Sequence, residues 1–134
     1  ASATGTIEAP IGRHPTKRRQ MAVVAGGKPS LTHYSAIATV DDLTLLDVSL
    51  GSGRTHQIRV HLAHLGHPVL GDRSYRGYSD RARTLGLERP FLHAWRLVFD
   101  HPASGERIEI SDPLPRDLAQ VLELAGFENP TAAL

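Results

Sequence analysis

The residues GSGRTHQIRVHLAHLGHPVLGD, numbers 51–72 of a 134-residue chain, place a glycine turn, a helical segment and a second turn in close succession. Apolar residues in this stretch recur at the i, i+4 and i+7 spacing, which predicts a helix with one buried stripe. The residues of the stripe are Ile58, Leu62 and Leu65. Thr55 is suited to cap the start of the helix, whereas Gly66 and Pro68 predict its end.

The sequence on both sides of this stretch predicts short strands and one further helix. We expect strands at residues 6–11, 21–25, 31–40, 43–50, 91–100 and 107–111. Asp41-Asp42 is typical of a hairpin turn, and the strand after it should bury one face, formed by Leu46, Val48 and Leu50. Residues 71–90 have the composition of a long loop with room for one short helix, and residues 116–125 predict a closing helix that ends at Gly126. The expected fold is α+β, a mainly antiparallel sheet from residues 6 to 111 with two packed helices.

Composition excludes several classes of protein. The chain has no cysteine, so it can form neither a disulfide nor a thiolate metal site. Its apolar runs fall short of the roughly 18 residues that cross a bilayer, and its first residues do not resemble a secretory signal. We therefore expect a cytoplasmic protein in which this chain is one ordinary domain or part of a larger one. The absence of an initiator Met fits a chain cut from something longer, and residues 1–5 and 127–134 are expected to be loose ends.

A basic loop stands out against a net charge of only +1. Five basic or potentially basic residues crowd seven positions, and guanidinium groups suit bidentate contacts to phosphate. The residues of this basic loop are Arg13, His14, Lys17, Arg18 and Arg19. A loop of this kind either contacts phosphates or is simply solvated.

The segment from Arg54 to His61 has three interpretations. It can be a capped amphipathic helix whose polar residues only face water. It can bind a metal, since four histidines lie close together, although their spacings of five, three and three do not place them on one helical face. These are His56, His61, His64 and His67. The third interpretation is a rigid wall, rich in hydrogen-bond donors, that holds an anionic or hydrogen-bonding partner; the family resemblance given next implies an RNA-facing wall of a catalytic cleft.

Residues 53–61 and 66–72 resemble the third conserved motif of the RluA/RluD-type pseudouridine synthases, which isomerise uridine within RNA. Weaker matches extend the resemblance over roughly residues 5–125. They lie at residues 7–23, 28–34 and 92–102. The resemblance implies that the chain is the C-terminal part of one catalytic domain. The family's His-Arg-Leu-Asp segment, which carries the nucleophilic aspartate, is not in this sequence.

The same resemblance implies roles for particular residues. Arg59 would pair with the nucleophilic aspartate, and Leu92 would pack near the target pyrimidine. The cleft would be lined by Arg54, Thr55, His56 and Gln57, and the basic loop would contact RNA. No metal and no organic cofactor are implied. Ribosomal RNA rather than transfer RNA is the expected substrate.

This hypothesis has two consequences, and two alternative functions remain open beside it. Without the nucleophile, the chain alone should be inactive. Its exposed sheet should bind the missing half of the domain or a second copy of itself. The rivals are a non-catalytic RNA-binding module and a histidine-dependent metal protein with ligands at His61 and His64.

Overall fold

The computed structural model describes residues 4–17 and 19–132, and within them seven strands and three helices. The strands are β1 (Thr4–Glu8), β2 (Ile11–Arg13), β3 (Met21–Val23), β4 (Leu31–Val40), β5 (Leu43–Leu50), β6 (Arg96–Asp100) and β7 (Arg107–Ser111). The helices are α1 (Gln57–His64), α2 (Asp80–Thr84) and α3 (Arg116–Ala125). The predicted bounds of β4, β5, β7 and α3 are confirmed to the residue.

The strands pair in three antiparallel sheets rather than in the single sheet that we expected. One sheet has the order β1-β4-β5, while β2-β3 and β6-β7 are two-stranded. The strand predicted at residues 6–11 is split because Pro10, between β1 and β2, has no amide hydrogen to donate to a ladder. The α+β class is confirmed, with α2 as a third, short helix in the predicted loop.

The β4–β5 hairpin turns at Asp41, whose φ of 52° lies in the left-handed region. A bulge between Ala36 and Ala38 shifts the register along β4. The buried face predicted on β5 is only partly formed. Leu46 packs into the core, but Leu50, at the end of the strand where the chain turns, is 47% exposed.

Helix α1 buries a different face from the one predicted. Leu62 is buried and Ile58 is partly buried against the same cluster, but Leu65 is exposed. The core side also takes the polar side chains of Gln57 and His61. Because these two residues are four positions apart, they lie one turn above the other on one face. Apolar spacing alone could not predict this orientation.

Two apolar clusters flank the helix, and a third joins the closing elements. On the side of β1, α1 packs into a cluster with Ile7, Ala9, Leu62 and Val69. On the side of β2 the cluster contains Ile11, Val60 and Tyr75. The third cluster unites α2 and α3 through Ala82, Leu85, Leu87, Leu118 and Val121. Helix α3 ends at Gly126 with a φ of 93°, as predicted.

The β6–β7 hairpin is a ribbon with an exposed apolar face. The predicted strand at residues 91–100 forms only from Arg96 onward. Cross-strand pairs place four apolar side chains on one face, which we call the ribbon face. They are Leu97, Phe99, Ile108 and Ile110. Leu97 and Ile110 are directly opposite each other and are 58% and 52% exposed.

The described ends of the chain are not the loose tails that we expected. Thr4 and Gly5 pair with β4 in the first sheet. Near the other end, Thr131 is buried, and its hydroxyl accepts a hydrogen bond from the amide of Leu114. Among the described residues, no helix has the length and apolar character that a membrane crossing requires.

Candidate active-site wall at helix α1

The turn that enters α1 is organised by a buried amide rather than by the predicted Thr55 cap. Helix α1 begins after His56, which has a φ of 55° and makes no side-chain capping bond. Gln57 Oε1 instead accepts hydrogen bonds from the Arg54 amide at 3.0 Å and the Ser52 hydroxyl at 2.8 Å. The prediction of a Thr55 cap was wrong because the side chain of Gln57 satisfies the turn from the protein interior.

A buried polar network ties α1 to the sheet. Gln57 Nε2 donates to the Thr32 hydroxyl at 3.0 Å, and that hydroxyl lies 2.7 Å from His61 Nδ1. His61 Nε2 lies 2.9 Å from the carbonyl oxygen of Ala9, which can only accept. His61 is therefore protonated at Nε2, and its Nδ1 accepts the Thr32 proton. Both ring nitrogens are engaged, so His61 offers no lone pair to a metal.

Arg59 is fixed by a buried carboxylate. Its Nε and one terminal nitrogen donate to the two oxygens of Asp72 at 2.8 and 2.9 Å. The Asp72 side chain is fully buried, whereas that of Arg59 is 19% exposed. Asp72 also accepts the amide hydrogen of Ser74. The hydrogen bond to Asp72 raises the pKa of Arg59 above its usual value, so the guanidinium stays charged.

Tyr75 completes the cluster around Arg59. The guanidinium carbon of Arg59 lies 5.0 Å from the centre of the Tyr75 ring, and His56 meets the same ring edge-on at 5.7 Å. The Tyr75 hydroxyl accepts the Met21 amide hydrogen at 2.9 Å and lies 2.8 Å from His56 Nδ1. We call His56, Arg59, Asp72 and Tyr75 the Arg59 cluster. It joins the start of α1 to the first residue of β3.

The predicted RNA-binding residues of the α1 turn fall into two groups. Thr55 is exposed and His56 is partly exposed, so both can reach a ligand. The guanidinium of Arg54 is anchored through two hydrogen bonds to the carbonyl oxygen of Pro29, at 3.2 and 3.1 Å. Gln57 is only 2% exposed, and its amide is used inside the protein. Its placement fits a role in shaping the turn rather than in contacting RNA.

The basic loop connects β2 to β3 and so ends beside the Arg59 cluster. His14 organises it, because its Nδ1 accepts the amide hydrogens of Thr16 at 3.1 Å and Lys17 at 2.9 Å. Lys17 and Arg19 are exposed, as is Arg13. Arg18 lies outside the described residues. The tie between β3 and Tyr75 places the end of this loop next to α1.

Leu92 lies in the irregular segment before β6 and packs against the core cluster shared by β1 and α1. The residues after it are fastened to the sheet, since the Trp95 indole donates to Asp47 at 3.2 Å. An open depression of about 350 Å³ lies nearby on the first sheet, lined by residues that include His33 and Asp47. It shares no lining residue with the Arg59 cluster.

Asp72 and Tyr75 are the two members of this cluster that sequence reasoning missed as functional residues. Both come from the region predicted as a long loop with room for one short helix. A signal was present, because an aspartate just after a predicted helix of basic side chains is a candidate partner for one of them. The sequence did not indicate which one.

Comparison with known proteins places this site in context. A model of the RNA pseudouridylate synthase family matches residues 1–64. A protein from Chloroflexus aurantiacus called an uncharacterized RNA pseudouridine synthase is 54% identical over 119 residues, which cover 89% of this chain and 37% of that protein. The ribosomal large subunit pseudouridine synthase D of Nitrosomonas europaea is 48% identical over 123 residues, with 89% and 36% coverage.

Solved structures agree with the sequence matches. The human protein called RNA pseudouridylate synthase domain containing 1 superposes with a TM-score of 0.70 at 28% identity. That match covers 96% of this chain and 62% of the human chain. The chain spans about two-fifths of the length of the curated relatives that it matches.

Proposed function

We propose, from the premise that this chain belongs to the RNA pseudouridine synthase family of the RluA/RluD type, that it forms one wall of an active site for isomerising uridine in RNA. On this proposal, residues 1–134 are the C-terminal part of a single catalytic domain in a longer cytoplasmic protein. The substrate is ribosomal RNA, in keeping with the relatives named as large subunit synthases. The observation that carries the proposal is the rigid, charged Arg59.

The Arg59 guanidinium suits the support of a nucleophilic carboxylate. Asp72 occupies its Nε and one terminal nitrogen, while no hydrogen bond from the other terminal nitrogen to a described residue is present. That second nitrogen is a donor for a carboxylate supplied by another segment. A fixed positive charge keeps such a carboxylate ionised and oriented, as attack on a sugar or base requires. The family's nucleophilic aspartate is the group that we assign there.

The remaining roles follow from placement. Leu92 packs against the core cluster that also holds Leu62, so it can support a base that has been flipped out of the RNA stack. On this proposal, Arg54, Thr55 and His56 line the cleft from the turn before α1. The basic loop contacts phosphates along the approach to this wall. No step of this scheme uses a metal or an organic cofactor.

The decisive experiment measures pseudouridine in ribosomal and transfer RNA after incubation with the longer protein or with the 134-residue chain. We expect conversion by the longer protein on ribosomal RNA and none by the chain, because the nucleophile is supplied elsewhere. Conversion by the chain alone would refute that assignment. Binding without conversion by either protein would favour the non-catalytic RNA-binding module.

Arg59 can be tested within the longer protein by comparing Arg59→Met with Arg89→Met. Arg89 pairs with Asp117 in the same two-bond geometry but on the surface, so its replacement removes an equal charge away from the cluster. We expect Arg59→Met to reduce kcat by a factor of at least about 100, the scale for losing one preorganised charged donor. Arg89→Met should leave kcat unchanged. Equal effects of the two substitutions on kcat would contradict a role for Arg59 in the active site.

The basic loop is tested through the salt dependence of RNA binding. Replacing Lys17, Arg18 and Arg19 together with glutamine should weaken binding and reduce the slope of log K against log salt by about 2 to 3. The control replaces three arginines that already pair with aspartates, namely Arg81, Arg83 and Arg89. This control removes the same charge. An equal change of slope in both variants would show an effect of net charge rather than of the loop.

The ribbon face is the surface that we assign to the missing half of the domain. Three exposed apolar side chains, Leu97, Phe99 and Ile110, lie on one side of the hairpin together with the partly buried Ile108, and they form a patch that a folded protein covers. The 134-residue chain alone should therefore associate with itself or with the missing segment. A well-behaved monomer in light scattering, with no companion polypeptide, would count against this assignment.

A further inference from the structure

A chain of hydrogen bonds behind His56 fixes which ring nitrogen carries the proton. The Tyr75 hydroxyl receives the amide hydrogen of Met21, because a backbone amide can only donate. The proton of the hydroxyl then needs an acceptor, since Tyr75 is only 7% exposed and an unpaired buried donor costs free energy. His56 Nδ1, at 2.8 Å, is the acceptor within reach. His56 is therefore protonated at Nε2.

The Nε2 hydrogen of His56 points away from the protein's own polar groups. No hydrogen bond from this nitrogen to a described residue is present, and no buried side-chain nitrogen or oxygen in the described part of the chain lacks a partner. Nε2 is therefore accessible to a ligand. The residue keeps this orientation in the left-handed region, which side chains other than glycine rarely adopt. Two contacts to Tyr75, through the hydroxyl and through the ring, hold it there.

The charge state of His56 is consistent with this arrangement. Burial, followed by the nearby positive charge of Arg59, lowers the pKa of His56 below its usual value, while Asp72 acts in the opposite direction. The ring is neutral at pH 7, so it can present one N–H and accept at the other nitrogen. Arg59 is three residues further along and therefore lies on the same side of the helix start. A neutral donor and a charged donor thus flank one tyrosine ring.

We propose that Tyr75 is a positioning residue that presents the Nε2–H of a neutral His56 as a hydrogen-bond donor to an oxygen of the bound RNA. The identity of the ligand rests on the proposed function, whereas the tautomer and its dependence on Tyr75 do not. The contact adds hydrogen-bond selectivity without adding a charge. It should therefore behave differently from the basic loop, which acts through charge.

The tautomer is tested by nuclear magnetic resonance on the 134-residue chain with ¹⁵N-labelled histidine. We expect His56 to show the Nε2–H pattern at pH 7 and to lose this preference in Tyr75→Phe, which keeps the ring but removes the hydroxyl. An Nδ1–H pattern in the unmodified chain would overturn the proposal. So would an unchanged Nε2–H pattern in a folded Tyr75→Phe variant. If Tyr75→Phe does not fold, the unmodified chain still decides the tautomer.

The contact to RNA is tested by measuring the affinity of the same chain for fluorescein-labelled oligouridylate across a range of salt concentrations. His56→Ala should weaken binding about three- to tenfold, as expected for one lost neutral hydrogen bond, with an unchanged salt slope. His56→Gln, which keeps an N–H donor, should restore part of the affinity. A His56→Ala variant that binds as tightly as the unmodified chain would overturn the proposed donor.

Tyr75 is linked to His56 by a double-mutant cycle. If Tyr75 acts through His56, Tyr75→Phe should weaken binding less than His56→Ala, and the double variant should match His56→Ala. Additive losses would assign Tyr75 an independent structural role and overturn the positioning claim. The acceptor on the RNA is then located by repeating the affinity measurement with an oligomer that lacks bases. If His56→Ala still weakens binding, the acceptor is a backbone oxygen. If His56→Ala no longer has an effect, the acceptor is a base carbonyl. Absence of RNA binding by the unmodified chain refutes the RNA acceptor, while conversion by the longer protein separately tests the proposed function and the tautomer experiment still decides the Tyr75–His56 link.

Discussion

Replacing Arg59 with methionine should destabilise the fold through the carboxylate that it leaves behind. Asp72 is fully buried, and its two oxygens accept both hydrogen bonds from Arg59. Methionine preserves most of the apolar stem but removes the charge. Asp72 is then a buried anion that keeps only the Ser74 amide as a donor among these contacts. Such an unpaired charge is one of the few single defects with a large energetic effect.

The magnitude follows from the geometry. Removing one partner of a buried ion pair costs about 3–5 kcal/mol. Arg59 is 19% exposed, so water can enter the vacated space and partly solvate Asp72, which moves the expected loss to the low end of that range. A loss of about 3 kcal/mol corresponds to a drop in Tm of roughly 10 °C for a chain of this size. Circular dichroism during thermal and urea unfolding measures both quantities.

A second variant tests this explanation through the sign of its effect on stability. Asp72→Asn in the Arg59→Met background removes the unpaired charge but keeps a carbonyl oxygen for the Ser74 amide. We therefore expect the double variant to be more stable than Arg59→Met alone. If the added substitution lowered stability further, the unpaired carboxylate would not be the cause of the loss.

The chain supplies its own control for this experiment. Arg89 and Asp117 make the same two hydrogen bonds, at 2.8 and 2.9 Å, with side chains that are 44% and 58% exposed. Solvent screening leaves such a surface pair with little net stabilisation. Arg89→Met should therefore lower Tm far less than Arg59→Met. Comparable losses from the two variants would show that burial is not what gives the Arg59 pair its strength.

Three further predictions concern pH, the buried network and the ribbon face. Because the folded-state pKa of His56 lies below its unfolded value near 6.5, the unfolded state takes up the proton first. Stability should therefore fall as pH drops below about 6.5, and His56→Asn should flatten a urea-unfolding profile in that range; an unchanged profile would contradict this. Thr32→Val should cost about 1–3 kcal/mol, since His61 Nδ1 loses its buried donor, and a urea midpoint equal to the parent's would refute the assigned network. Replacing Leu97 and Ile110 with serine should reduce self-association in light scattering, whereas undiminished association would place the contact elsewhere.

The parts of the fold that the sequence predicted correctly are those governed by local chemistry. The bounds of β4, β5 and α3 follow from alternation, an Asp-Asp turn and a terminal glycine, all of which act within a few residues. The predicted strand at residues 91–100 is shorter because the Phe91 amide bonds to the Leu70 carbonyl and the Leu92 amide to the Pro90 carbonyl, instead of to a ladder. The number of sheets was also not predictable, since the pairing of strands depends on where strands that are distant in sequence meet.

The candidate site shows the same difference between residues set by local sequence and residues brought together from a distance. Arg59 and the turn around His56 were predictable from a resemblance carried by contiguous residues. Their partners were not, because Asp72 is 13 residues from Arg59 and Tyr75 is 19 residues from His56, across a loop without periodicity. The placement of the Gln57 side chain was not predictable either. Its polar side chain suggested contact with RNA, but its amide forms hydrogen bonds with four polar groups of the protein. Only the folded chain shows which polar side chains already have hydrogen-bond partners.

The loop that carries Asp72 and Tyr75 links stability to the proposed chemistry. Asp72 fixes Arg59 through two hydrogen bonds, and Tyr75 contacts both Arg59 and His56. The same tyrosine bonds to Met21, the first residue of β3 after the basic loop. A substitution in this loop would therefore misplace the guanidinium of Arg59, the imidazole of His56 and the end of the basic loop together. Because the charges on Arg59 and Asp72 are paired inside the protein, these side chains are oriented without a ligand, and on the proposed function RNA binding need not supply that ordering.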